Sequence, residues 1–185
     1  MISAMTMRRA LFWSVVVAAG LGASPVNIAP DAVTSATLGY NPHEGELASL
    51  TDGLHPGNSQ DAKAFVWPTK GNLVFQFEEV HPVAAVRLYI GGDAGWYMAL
   101  AYQGARLGPS GQTETADAEL VADAYDFEEQ TNTWVELAFP SGTEADYIEV
   151  GTQSGAVIYE VEILSDDGTT AVAGTSWGRL KASRP

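Results

Sequence analysis

The three histidines of this chain, His43, His55 and His81, are its most versatile side chains for proton or metal chemistry, and there is no cysteine beside them. None stands at His-x-x-x-His spacing, and no thiol is present to complete a metal set. The adjacent pairs Glu78-Glu79 and Glu128-Glu129 suit a glycosidase poorly. Neighbours in a strand point to opposite faces, whereas the two carboxylates must flank one bond. His81 precedes Pro82, which predicts a turn. Aromatic, imidazole and amide side chains in loops are the other groups that can bind a ligand. Tyr40, Asn41 and His43 fall in the first long loop, and Trp96 and Tyr97 follow the glycine-rich Gly91-Gly92-Asp93-Ala94-Gly95. Trp96 reads either as an exposed platform or as a strand-start residue packed into a rim, and both readings stand. Trp67 and Trp134 lie in or beside strands and are assigned to the core. With no constellation that meets the roles of an active site, the chain is expected not to be an enzyme.

Such loops need a scaffold, and the pattern predicts a β one. No window after the first residues keeps a 3.6-residue apolar period with caps, whereas short β-rich runs separated by turn residues recur. Strands are expected over 32–37, 73–78, 84–90, 97–103, 119–122, 134–139, 147–151 and 157–164. In the third, Val86, Leu88 and Ile90 share one face and Arg87 and Tyr89 the other. In the fourth, Met98, Leu100 and Tyr102 fall together. Gly104–Ala118 and the acidic Asp123–Thr133 read as loops. About eight strands of this kind predict an all-β, antiparallel sandwich.

The two ends read differently. Arg8 and Arg9 precede the apolar run Ala10–Leu21, and Gly22-Ala23-Ser24 offers small residues for cleavage. Residues 1–24 are therefore expected to be a secretory signal peptide. The run is shorter than the ~20 residues a spanning helix needs. The arginine pair faintly suits twin-arginine export, but Met7 stands where such signals prefer Ser or Thr, and ordinary export ranks first. The product would be secreted, periplasmic or held at the cell surface, and without a cysteine it has no lipid anchor. Residues 25–166 are assigned to one domain and 167–185 to a linker and basic tail. The tail is read either as a frayed end or as a contact for the acidic body or a cell-surface partner. The chain has 23 acidic against 9 basic residues, a formal charge of −14. Between Pro25 and Gly174 the bases are Lys63, Lys70, Arg87 and Arg106. Such a surface repels phosphate backbones and anionic lipid, which argues against nucleic acid or membrane partners. It keeps an exported protein soluble, and divalent cations are a second reading.

One series of segments carries more. Asn27-Ile28-Ala29 is followed by Thr51-Asp52-Gly53, then Phe65-Val66-Trp67 before LVFQFEEV at 73–80. Next come WVELAFPSG at 134–142, YIEVG at 147–151 and IYEVEIL at 158–164. In this order the segments resemble the discoidin-like (coagulation factor 5/8 type C) domains, which include bacterial carbohydrate-binding modules. The resemblance spans roughly 26–164. It implies an eight-stranded jelly-roll sandwich with ligand loops at one end. It also implies a structural calcium ion held by Asp52 and Glu160, helped by carbonyls around 48–50. Calcium takes six to eight hard oxygens in irregular geometry, which suits such a loop. The plainer readings are a turn residue for Asp52 and a solvated strand position for Glu160. His55 and Asn58 follow the Asp-Gly turn, where such domains often carry ligand residues. One departure stands out. Galactose-binding members often place an arginine after the strand equivalent to 84–90, where this chain has Gly91-Gly92-Asp93. The resemblance thus implies a secreted, non-catalytic module with a glycan as partner. A cell-surface adhesion protein, with the sandwich as scaffold and the tail as contact, is the alternative, and a protein ligand at the same loops is a third reading.

Overall fold

A computed structural model describes residues 24–37, 43–92, 95–109, 111–152 and 155–166. The expected signal peptide up to Ala23, the tail from Asp167 onward, and Tyr40 and Asn41 lie outside the described residues. Among the described residues no helix is long and apolar enough to cross a membrane.

Among the described residues there are twelve strands, ten of which form an antiparallel β-sandwich of two sheets and two a separate hairpin. They are β1 (Val26–Asn27), β2 (Val33–Ala36), β3 (Phe65–Trp67), β4 (Gly71–Pro82), β5 (Ala85–Gly92), β6 (Tyr97–Gln103), β7 (Arg106–Leu107), β8 (Thr113–Glu114), β9 (Glu119–Asp126), β10 (Thr133–Ala138), β11 (Glu144–Thr152) and β12 (Ala156–Ser165). One sheet runs β1-β12-β5-β10, with β3 also on β12, and the other runs β2-β4-β11-β6-β9. Alternation sends every second side chain inward. Phe65, Leu73, Phe75, Leu88, Ile90, Ile148 and Ile158 are fully buried between the sheets. The registers set the C-terminal ends of β2, β3, β5, β9 and β11 at one end of the sandwich, and this is the loop end. Two short 3-10 turns, Ala29–Asp31 and Leu47–Thr51, flank the strands.

In β6, Met98, Leu100 and Tyr102 do fall together, on the outward side, while Tyr97, Ala99 and Ala101 form the core side. Several expectations are corrected. His81 lies within β4, opposite Ala145, with its ring edge-on to Phe77 at 5.2 Å, rather than in a turn. The segment 104–118 is not a plain loop. Its strands β7 and β8 form a hairpin that packs Ala105 and Leu107 on Val74 and Tyr147, a second cluster on the outer face of the β2-β4-β11-β6-β9 sheet. Thr113 Oγ donates to the Glu149 carboxylate at 2.6 Å and lies 2.9 Å from the Tyr147 hydroxyl. Burial, with Glu149 nearby, pushes the Tyr147 and Tyr102 phenols above their ordinary value. Finally, 119–126 is one strand, so the acidic segment begins on a sheet edge.

Candidate functional site

A bulge in β12 decides where its acidic residues go. Ile158 pairs with Ile90, but Glu160 pairs with Tyr89, which leaves Tyr159 as an extra residue. One inserted residue reverses the alternation beyond it. Ile158, Val161 and Ile163 therefore all reach the core, and Glu160 shares the outer side with its partner Tyr89. The loop after the second 3-10 turn then covers it. Glu160 is 1% exposed. The Gly53 N–H donates to Glu160 Oε2 at 3.0 Å, while Oε1 is buried with no partner among the described residues. Desolvation by burial, with the Asp52 and Glu162 charges added, pushes the Glu160 carboxyl up to about 8, although the Gly53 and Leu54 N–H groups pull the other way. Asp52 is exposed, and its Oδ1 accepts the Leu54 N–H at 2.8 Å. The structure thus brings together the two carboxylates that the resemblance pairs. Desolvation and the Asp52 charge favour the protonated form of Glu160, and a bound cation would favour its ionised form. Among the described residues no group of three or more His, Cys, Asp or Glu side chains is placed to hold a metal. Further oxygens would have to be backbone carbonyls, an arrangement calcium accepts.

The same loop carries His55 across the sheet. Its ring stacks on Tyr89 at 4.4 Å and meets Trp134 edge-on at 5.1 Å. Asn58 caps the loop, donating from Nδ2 to the Gly53 carbonyl and accepting from the His55 N–H, both at 2.9 Å. Trp134 is half-buried on this outer face, not in the core as expected. Arg87 lies 4.5 Å over its ring and is anchored to Glu162 at 2.7 Å and Glu136 at 3.6 Å. Trp67 is in the core at 2% exposure, as expected.

The other candidates separate. His43 is exposed, and its ring stacks on the buried Phe65 at 4.7 Å. Tyr97 is a correction: it is fully buried, and its hydroxyl donates to the Gly92 carbonyl at 3.3 Å. As the first residue of β6 it shares the inward side with Ala99 and Ala101, so it cannot serve as a platform. Trp96, one residue earlier, points the other way and is half-buried beside Tyr125, with centroids 6.5 Å apart. Tyr125 in turn stacks on Phe127 at 6.0 Å with an interplanar angle of 7°. Tyr125 is 47% exposed and Phe127 67%. These three rings form an open aromatic strip where β9 leaves the sheet at the loop end. Tyr125 and Phe127 were hidden inside a segment read as an acidic loop. The signal that finds them is the alternation Asp123-Ala124-Tyr125-Asp126-Phe127, which puts residues 123, 125 and 127 on one side.

A spacing in the tail also bears on catalysis. Gly174-Thr175-Ser176-Trp177-Gly178 satisfies the Gly-x-Ser-x-Gly pattern, but a nucleophile elbow needs a strand-to-helix turn around the serine. The segment lies outside the described residues.

No family model matches the chain, and no curated protein does. Solved structures do. A two-module structure from Clostridium perfringens ZmpB, in complex with GalNAc, superposes with a TM-score of 0.54 at 13% identity, over 77% of this chain and 35% of that one. A fucose-binding module of Streptococcus pneumoniae gives 0.53 at 17%, over 76% and 96%. The family 32 carbohydrate-binding module of Clostridium perfringens NanJ, in complex with galactose, gives 0.51 at 16%, over 77% and 98%. This chain therefore spans about a third of the ZmpB structure and nearly all of the two single modules. The sandwich, its antiparallel strand order and these superpositions together give the chain the discoidin-like, galactose-binding-like fold of the family 32 carbohydrate-binding modules.

Proposed function

We propose that this protein is a secreted, non-catalytic module that binds a glycan at its loop end. The observation that carries this reading is the strip of Trp96, Tyr125 and Phe127, because large exposed aromatics gathered in one place mark a binding surface. Flat rings with open faces suit the C–H faces of pyranoses. The structural neighbours are binding modules, described with GalNAc, fucose and galactose, and that supports both the ligand class and the lack of catalysis. Export is supported by Arg8, Arg9 and the apolar run behind them. A structural calcium belongs to the same reading. Glu160 and Asp52 would hold it, with carbonyls of the neighbouring loop. When bound, the ion neutralises two like charges and pins the loop that carries His55.

The test is a glycan array and a polysaccharide pull-down, with the parent protein and Tyr125→Ala and Phe127→Ala. Both side chains are exposed, so both variants keep the fold. Each substitution is expected to weaken binding about tenfold, the size of one aromatic contact. Binding unaffected by both substitutions would exclude the strip as the site.

A further inference from the structure

The end of the sandwich opposite the loops carries a bulge in β4. Gln76 pairs with Tyr147 and His81 with Ala145, so residues 77–80 stand against Asp146 alone. Three extra residues in one strand push it out of the regular ladder. Phe77 turns into the core, while Glu78, Glu79 and Val80 are all exposed. The bulge begins where β2 stops pairing, with Val33 opposite Gln76, so among the described residues this stretch of β4 is a sheet edge. Val33 is 68% exposed and Val80 48%, and Asp31, two residues before Val33, is exposed as well. The patch thus joins two open valines to three carboxylates. Among the described residues these carboxylates have no ion-pair partner.

The last strand delivers the chain to this patch. The Ala84 N–H donates to the Leu164 carbonyl at 2.8 Å. Ala84 lies four residues from Val80, a span of at most about 14 Å. β12 ends at Ser165, one residue after Leu164. Residues 168–185, outside the described residues, hold Trp177, Arg179, Leu180, Lys181 and Arg184 and no Asp or Glu. From Asp166 to Trp177 the chain reaches up to about 36 Å, more than twice that span. Tethering makes the encounter intramolecular, at an effective concentration on the order of millimolar. The strip of Trp96, Tyr125 and Phe127 also has acidic neighbours, but it lies at the loop end. The ten residues of β12 put it about 33 Å away, nearly the whole reach.

We propose that residues 168–185 dock on this patch of their own chain. Trp177 covers Val33 and Val80, and Arg179, Lys181 and Arg184 meet Asp31, Glu78 and Glu79. The segment is then a strap across the end opposite the loops, and it leaves the loop end open. The proposal stands apart from the glycan reading.

The chain has three lysines, Lys63, Lys70 and Lys181, so a zero-length carbodiimide cross-linker reports directly where Lys181 sits. An equal mixture of isotope-labelled and unlabelled protein is cross-linked, and the linked peptides are mapped by mass spectrometry. This separates links within a chain from links between chains. The second readout is amide exchange at 78–80 in the parent, in Trp177→Ala and in the triple variant Arg179→Gln, Lys181→Gln, Arg184→Gln. The substituted positions lie beyond β12, so both variants keep the sandwich. The expected result is a link from Lys181 to Glu78 or Glu79 within one chain. Exchange at 78–80 should rise about tenfold in each variant, since several exposed ion pairs that are weak singly add to that much. High salt should bring the parent toward the triple variant. Links from Lys181 to Asp123, Glu128 or Glu129 would put the segment on the aromatic strip, and links only between labelled and unlabelled chains would put it on a second copy. Either overturns the proposal. So does exchange at 78–80 that is the same in the parent and both variants.

Discussion

Glu160 offers the sharpest test of the loop that closes over β12. Without a cation its carboxyl titrates near 8, against an ordinary value of 4.5. Burial at 1% exposure is the main cause. The folded chain then holds this proton over a range in which the unfolded chain has already released it. Unfolding releases the proton, so stability in chelator falls as pH rises from about 4.5 to about 8 and is level above that. At ~1.4 kcal/mol per pKa unit, the upper bound on this loss is about 5 kcal/mol. Relaxation and water penetration bring the expected loss to about 2 kcal/mol. Glu160→Gln removes the titration. Urea unfolding of parent and variant across pH 4–9 in chelator isolates the group, because the difference cancels every other carboxylate. The parent-minus-variant stability should decline through that window. Calcium should reverse the order at pH 8. It stabilises the parent by about 2.7 kcal/mol at one hundred times its dissociation constant, and leaves Glu160→Gln unmoved. A flat difference across pH, or a calcium-induced rise shared by the variant, would refute the argument that Glu160 is a buried carboxylate awaiting a cation.

Other substitutions test the packing that positions the site. A Cβ added at Gly71 would lie 2.3 Å from the ring of Trp67, itself in the core, so Gly71→Ala should lower stability by about 2 kcal/mol in thermal melts. Tyr97→Phe removes the hydroxyl's hydrogen bond to the Gly92 carbonyl and should cost about 1 kcal/mol without changing glycan affinity, which titration calorimetry would check against Phe127→Ala. Thr113→Val leaves the buried Glu149 short of a donor. It should cost about 1–3 kcal/mol and raise amide exchange across 104–118, where the hairpin would lift from the sheet.

The strands were legible because their alternation is strict. Val86, Leu88 and Ile90 read as one face and are one face, fully buried. Long-range pairing was not legible, and it decided the site. Tyr97 and Trp96 look equivalent after a glycine-rich loop, yet strand parity sends one to the core and the other to the rim. Trp134 looks like a core residue within WVELAF, but its register opposite Tyr89 puts it on the outer face. The acidic composition of 123–133 masked the alternation that exposes Tyr125 and Phe127. The pairing of Asp52 with Glu160 came from a resemblance and not from spacing, because the neighbouring Gly53–Glu160 hydrogen bond spans 107 residues and leaves no local trace.

The bulge at Tyr159 links these observations. Cross-strand rows on the outer face of the β1-β12-β5-β10 sheet run Glu160–Tyr89–Trp134 and Glu162–Arg87–Glu136. The second row is self-sufficient, since Arg87 lies between two carboxylates and over Trp134. The first row has a carboxylate with no cationic side chain beside it among the described residues, and the loop from Asp52 to Asn58 folds over it. That loop has two anchors: the Gly53 N–H on Glu160, and His55 against Tyr89 and Trp134. The aromatic anchor works without metal, whereas the carboxylate anchor rests on a buried Glu160 whose charged form is disfavoured by desolvation and by the Asp52 charge until a cation binds. The anchors share one short loop, so a cation that tightens the first must also tighten the second. Calcium dependence should therefore be read out at His55 and Trp134, by imidazole NMR shifts and indole fluorescence, and not only in the melting temperature. Without the bulge, regular pairing beyond Ile158 would set Tyr159 opposite Tyr89 and turn Glu160 to the core side, and the Gly53–Glu160 anchor could not form.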